Sequence, residues 1–332
     1  MLKIVFIGAG DWAMAIHGPA LAHYVKEHPC ELELAAVCVR KSVDRAKEFC
    51  EKFGFARVYT DIEEMVGKER PDACWVVTEI GGTRVAAGKV MELGVPVIFE
   101  KPPGRNLQEA KELAEISRRT GTPNMVAFNR RWAPCTRKAL EWARESGPAA
   151  ECDSAPRFEY LYARMLRSGR LDEEFAFGTG IHLLDCVRAI AVAHLGGLKS
   201  AKVSRVKSLT DRWNFHVEME CGNGARGRCD ILPTCGVVDE TYTLFGRNHW
   251  ITYSLPWHSV PGKAELWVKE ELVASESWSA QPAFLSSGFY GEAAEFISAL
   301  KEGRRPSPSA EEAVDSVALA EAVQEGRDIG FG

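Results

Sequence analysis

Over the first 128 positions, apolar residues fall into short unbroken runs. Each run is followed by a stretch in which apolar positions recur every three or four residues. Unbroken runs of this length, bounded by turn residues, read as strands buried on both faces, and the intervening stretches read as amphipathic helices. The pattern predicts strands at 2–7, 32–39, 57–59, 73–77, 95–99 and 123–127, and helices at 12–27, 43–53, 61–67, 82–94 and 106–120. Ser42 and Asn106 stand at N-cap positions. Strict alternation of the two element types predicts an α/β unit, a doubly wound parallel sheet covered by helices on both faces.

From residue 129 the pattern changes. A helix is expected near 132–146, then the loop-like run SGPAAECDSAP, a strand at 158–165 and a helix at 180–195. Strand-like runs follow at 201–208, 213–221, 225–231, 237–245 and 248–254, punctuated by the hairpin signals GNG (222–224) and GRN (246–248). Helices at 289–302 and 309–326 close the chain. This half reads as an α+β domain with a large, mostly antiparallel open sheet. The expected division is therefore 1–128 and 129–332, with no internal repeat and no low-complexity segment.

A length of 332 residues suits two cores better than one. A formal charge of −5 gives no basic footprint for nucleic acid or an anionic membrane surface. No apolar run reaches the ~18 residues of a membrane span. The opening residues are not expected to act as a signal peptide, because Gly8, Gly10 and Asp11 interrupt the apolar run. The ten cysteines form no C-x-x-C pair, and several lie in strand-like runs such as AAVCV and ACWVV. They read as buried thiols in a reducing cytoplasm, with neither a disulfide frame nor a metal site.

Candidate chemistry starts at the first turn. Gly8, Gly10 and Ala13 follow the strand at 2–7 as G-x-G-x-x-A, the dinucleotide fingerprint. Gly8 would allow the tight turn, Gly10 the approach of a pyrophosphate, and Ala13 close helix packing, with the helix N-terminus holding phosphate. The second strand ends in Val39-Arg40-Lys41-Ser42, without the carboxylate that binds the ribose hydroxyls of NAD. Two cations and a hydroxyl favour NADP, with NAD as the alternative. The same residues also read as solvated charges opening a helix.

The fifth strand runs into Glu100-Lys101-Pro102, which would bring Lys101 to the carboxyl end of the sheet, where open α/β sheets bind ligands. A cis Lys101–Pro102 bond is an option there. An ammonium in that place can hold a substrate oxygen as negative charge develops. His182 and Asp185 lie three apart at a helix start. Histidine suits proton transfer near neutrality, but on spacing alone His182 reads more simply as a structural helix residue.

GAGDWA, EKPPG, NRRW (129–132), GIHLLD (180–185) and YGEAAEFISAL…GRRP (290–306), in that order, resemble the glucose–fructose oxidoreductase, inositol dehydrogenase and rhizopine catabolism (Gfo/Idh/MocA) family over nearly the whole chain. The resemblance implies a Rossmann domain followed by an α+β domain whose open sheet often forms the oligomer interface. It also implies NAD(P)-dependent dehydrogenase or reductase activity on a sugar, polyol or related small molecule. A homo-oligomer, dimer or tetramer, is expected. Lys101 matches the family's catalytic lysine, which touches both nicotinamide and substrate, His182 matches its catalytic histidine, and Asp185 matches a substrate-contacting carboxylate. Asp11, Trp12, Thr78, Glu100, Asn129 and Arg131 match the cofactor side.

Trp132, Tyr160, Tyr162, Trp213, Trp257 and His258 offer rings for a sugar, with a core or interface role favoured for all but Trp132. Tyr162 is kept as the second substrate candidate. Two departures stand out. Gly178 occupies the position of a family aspartate four residues before the histidine, for which Asp172, Glu173 and Glu174 are the candidate substitutes. Thr78-Glu79-Ile80 replaces the family's threonine-proline-asparagine run. The first departure keeps two other readings in view, a non-catalytic NADP-binding regulator and a lyase or hydrolase with a retained cofactor.

Overall fold

The structure, a computed structural model, describes residues 1–145, 157–163, 174–208 and 211–332, with the backbone alone at 157–160 and 162–163. The chain divides into two compact units, Met1–Phe128 with Phe289–Val314, and Asn129–Gly288 with Asp315–Gly332.

The first unit holds six parallel strands, β1 (Leu2–Ile7), β2 (Leu32–Cys38), β3 (Arg57–Tyr59), β4 (Ala73–Val76), β5 (Val97–Glu100) and β6 (Asn124–Ala127), in the order β3-β2-β1-β4-β5-β6. β4, β5 and β6 are buried at every position, which is why they read as unbroken apolar runs. The crossovers are α1 (Gly18–Glu27), α2 (Val43–Phe53), α3 (Ile62–Glu69), α4 (Ile80–Glu92) and α5 (Leu107–Thr120). Side chains cap two of them, Asp61 accepting from the N–H of Glu64 and Asn106 from that of Glu109. α4 starts two residues earlier than expected because Gly81 and Gly82 in its first turn hide the helical period.

The division expected at 129–332 differs from the structure in one respect: Phe289–Val314 packs with the first unit. Two further helices carry this segment, α10 (Phe289–Lys301) and α11 (Ala310–Glu325), the second of which starts in the first unit and ends in the second. Phe296 is fully buried with its ring 5.2 Å from that of Trp75 in β4. Val126 donates its N–H to the Pro308 carbonyl at 2.7 Å, and Asn124 Oδ1 accepts from the N–H of Ala310 at 2.8 Å. An amphipathic helix shows its apolar face in its sequence, but not the sheet that face covers.

Among the described residues the second unit has nine strands: β7 (Arg157–Ala163), β8 (Leu198–Lys207), β9 (Trp213–Cys221), β10 (Arg226–Leu232), β11 (Asp239–Gly246), β12 (His249–Ser254), β13 (Gly262–Val268), β14 (Glu271–Trp278) and β15 (Ile329–Gly330). Their order is β14-β13-β12-β11-β7-β10-β9-β8-β15, antiparallel throughout except for β7 beside β10. The hairpin turns at 222–224 and 246–248 connect the strands they were expected to connect. The β13–β14 hairpin was not foreseen. Its turn uses Lys269 and Glu270 at positive φ, 48° and 72°, and charged residues give no turn signal.

Among the described residues, the other helices of this unit are α6 (Pro134–Glu145), α7 (Phe175–Gly178), α8 (Ile181–His194) and α9 (Ala283–Ser286). α6 lies on β12–β14 and α8 on β8. Ile251 and Tyr253 are buried on one face of the sheet, and on the other the register aligns Phe245, Trp250 and Trp267 as a stacked row.

Candidate active site

β1 ends at Ile7, and Gly8 turns the chain at φ +109° while its N–H donates to the Cys38 carbonyl at 2.9 Å. A Cβ at Gly8 would lie 2.0 Å from the Val77 carbonyl oxygen, so only glycine fits. A Cβ at Gly10 would meet nothing within 4 Å. The backbone there is open to a ligand, as pyrophosphate binding needs. Ala13 is fully buried, whereas Asp11 and Trp12 are exposed. The first helical turn contains a π-helical stretch, Ala13–His17, before α1 begins. Thr78, after β4, meets Thr83 through its hydroxyl at 3.3 Å. The turn, the open backbone and the helix N-terminus together fit a dinucleotide.

At the end of β2, Arg40, Lys41 and Ser42 are exposed, and the Ser42 hydroxyl caps no N–H of α2. Arg40 lies 4.0 Å from Glu79. Arg45, one turn into α2, bonds Asp11 of the glycine turn. Sequence reading passed over Arg45 and Glu79; the available signal was the spacing of Arg45 five residues beyond Arg40 across a helix start.

At the end of β5 the Lys101–Pro102 peptide is cis. Glu100, the last strand residue, is buried and is held by His17 Nε2 at 2.6 Å and Trp12 Nε1 at 3.2 Å on Oε1. Its Oε2 accepts the main-chain N–H of Lys101 at 3.1 Å. Burial pushes the Glu100 carboxyl up, but the hydrogen bond and charge of His17, with Lys101 and Trp12, outweigh it and leave the carboxyl below its ordinary value. Glu100, expected as a cofactor contact, has its carboxylate buried against these partners. His17 went unnoticed in the sequence, where a lone histidine in a helix carries no signal.

In the second unit His182 lies in the first turn of α8, buried, with its N–H donating to the Thr179 carbonyl at 3.3 Å. Gly178 closes α7 and is itself buried. Asp185, one turn beyond His182, is fully buried. Arg131 grips it with two hydrogen bonds of 2.7 Å, and Ser316 Oγ donates to its Oδ1 at 2.7 Å.

The motif NRRW forms a 3₁₀ turn (Asn129–Trp132) whose polar side chains each take a separate anchor. Asn129, fully buried, donates to the Ser287 carbonyl at 2.6 Å. Arg130 pairs with buried Glu240 of β11 at 3.2 Å, and Arg131 holds Asp185 of α8. Asn129 and Arg131, expected on the cofactor side, and Asp185, expected on the substrate side, bond the Ser287 carbonyl and one another, with Ser316 on Asp185. Trp132 is partly exposed, with the Arg137 guanidinium 5.2 Å from its ring.

Tyr162 pairs with Ile231 and Glu240 through its backbone in β7, and its side chain lies outside the described residues, as do Asp172 and Glu173. Glu174 precedes α7 and supplies no side-chain cap. A cavity of about 260 Å³ is lined by Phe175, Lys207, Asp211, Arg212, Trp213 and Phe215. Arg205 and Lys207 stand 4.5 and 5.4 Å from the Trp213 ring centre. Nine described cysteines are unbridged, and seven of them are buried. No helix among the described residues is long and apolar enough to cross a membrane.

The model of an oxidoreductase family with an NAD-binding Rossmann fold matches residues 2–128. D-glucoside 3-dehydrogenase of Escherichia coli is 29% identical over 140 residues, covering 42% of this chain and 38% of that protein. The scyllo-inositol 2-dehydrogenase (NADP(+)) of Bacillus subtilis is 25% identical over 134 residues, 39% of this chain and 40% of the other. The chain thus aligns with about two fifths of the length of these relatives. The crystal structure of a Gfo/Idh/MocA family oxidoreductase from Vibrio cholerae superposes with a TM-score of 0.78 at 22% identity, covering 98% of this chain and 97% of that one. That likeness extends the shared fold to both units.

Proposed function

We propose, on the premise that this chain belongs through residues 2–128 to the Gfo/Idh/MocA oxidoreductase family, that it is a cytoplasmic NADP-dependent dehydrogenase or reductase of a sugar, polyol or related small molecule. The observation that carries the reading is the first unit's turn: Gly8 allows no side chain, Gly10 leaves open space, and Lys101 follows the end of β5 in the same sheet. The sugar and polyol dehydrogenases among the relatives support the substrate class.

NADP is favoured over NAD because β2 ends without a carboxylate and is followed by Arg40, Lys41 and Ser42, with Arg45 one turn on. A 2′-phosphate would draw Arg40 from Glu79 and Arg45 from Asp11, trading exposed ion pairs for charge-assisted contacts to a dianion. When bound, the dinucleotide supplies the hydride chemistry. Lys101 would hold the substrate oxygen through its ammonium as charge grows there. His182 would take the hydroxyl proton in oxidation and return it in reduction. Arg131 and Asp185 would fix α8, and with it His182.

Screening the purified protein by absorbance at 340 nm, with NADP and NADPH across sugars, polyols and keto-sugars, tests the reading. Steady turnover is expected. Binding without turnover would favour a regulator, and product without net absorbance change a retained-cofactor lyase or hydrolase. On the substrate so found, His182→Ala should lower kcat ~10²–10⁴-fold, and Lys101→Met at least as much, with little change in NADP affinity for the histidine variant. A His182→Ala enzyme with near-normal kcat would remove that residue from the mechanism.

A further inference from the structure

We propose that His17 is a positioning residue for Lys101, acting through Glu100; the inference rests on the role given to Lys101 above. The side chains of His17 and Glu100 are only 4% and 8% exposed and meet at 2.6 Å. A carboxylate that far from water is retained only when partners surround it. Oε1 of Glu100 takes His17 and Trp12, leaving Oε2 for the main-chain N–H of Lys101. The carboxylate therefore pins the backbone from which the lysine side chain departs. It is also an anion next to that lysine, and the two charges are coupled.

The route by which His17 arrives is unusual. It ends the π-helical stretch Ala13–His17, which places an extra residue in the turn. Such insertions re-aim side chains and occur often at functional sites. The Phe289 ring stands edge-on to both His17 and Trp12, at 5.7 and 5.4 Å; the imidazole is buried and the indole is exposed. Trp12 belongs to the dinucleotide turn, so one buried carboxylate links that turn to Lys101. The titratable groups tied together here include His17, Glu100 and Lys101. If His17 is lost, Glu100 loses its main partner and tends to take up a proton, and Lys101 then loses its neighbouring anion. The lysine amine becomes more available and less well placed.

The experiment compares full-length His17→Leu, His17→Gln and Glu100→Gln with the wild type. Each protein, without added nucleotide, is trace-labelled with an acetylating succinimidyl ester, and the Lys101 peptide is quantified by mass spectrometry against Lys111 and Lys269. Lys101 should label about threefold faster or more in His17→Leu and Glu100→Gln, and less so in His17→Gln, which keeps an N–H donor for the carboxylate. With a substrate from the screen, kcat should fall about tenfold to a hundredfold while the NADPH Kd changes far less. Unchanged Lys101 labelling in the variants that stay folded would overturn the proposal, whatever their melting temperatures. If labelling responds but Lys101→Met turns over normally, the linkage stands and the catalytic reading of Lys101 fails. If Lys101→Met is dead and the His17 variants label and turn over as wild type, the linkage alone is wrong.

Discussion

Arg131 can be read in two ways, as a cation awaiting cofactor or as a clamp on Asp185, and the two predict different measurements. Its guanidinium is 18% exposed and grips a carboxylate that is fully buried. Removing one partner of such a pair strands the other charge, typically at 3–5 kcal/mol. Arg131→Met should therefore lower the urea stability of the protein by about 3 kcal/mol or more, with NADPH affinity nearly unchanged where the protein is folded. A variant of normal stability that binds NADPH poorly would favour the cofactor role. Asp185→Asn should be milder, because an amide still meets Arg131 and Ser316 with one hydrogen-bonding oxygen.

Within the β1–α1 turn, two glycines that look equivalent in the sequence do different work. A methyl at Gly8 would collide with the Val77 carbonyl at 2.0 Å and sit at φ +109°, so Gly8→Ala should destabilise the fold by about 2 kcal/mol or more. Gly10→Ala meets open space and should keep a near-normal melting temperature. It should still lose at least about tenfold in NADPH affinity, since the methyl occupies the approach of the pyrophosphate. Paired melting and binding curves separate the two effects. Equal binding by Gly10→Ala and wild type would argue against a dinucleotide at this turn. In the β2–α2 connection, Arg40→Ala should narrow the preference for NADP over NAD by about tenfold or more, the worth of a charge-assisted contact. Equal wild-type affinities for the two dinucleotides would refute that assignment.

Across the whole molecule, the nine-stranded sheet presents Phe245, Trp250 and Trp267 in one stacked row, with Phe245 37% exposed. Neighbouring positions on the same face are Thr243, Thr252 and Glu265, aligned by register across β11, β12 and β13. Antiparallel sheets tolerate one wet face, but aromatic rows on such a face favour cover by another subunit. We expect a homo-oligomer with closed symmetry, a dimer or tetramer. Light scattering at micromolar concentration should give a multiple of the 36.7 kDa chain, and a monomer there would reject the expectation.

What the sequence alone determined is what local physics controls. The six parallel strands and their helices follow from runs and periods a few residues long, and Gly8-x-Gly10 and the cap at Asn106 follow from backbone demands within one turn. Lys101 at the end of β5 was legible for the same reason. The tertiary structure decided whatever depends on partners far along the chain. Lys269 and Glu270 turn a hairpin because β13 and β14 pair around them, against their own preference for negative φ. α10 joins the first unit because Phe296 finds Trp75, 221 positions earlier. Asp185 meets Arg131 54 residues away and Ser316 131 residues away, and His17 meets Glu100 across 83. A side chain's type sets what it is able to bond, and burial beside a distant group sets what it does bond. That is why the sequence NRRW does not disclose the ion pairs it makes with Glu240 and Asp185 in the fold.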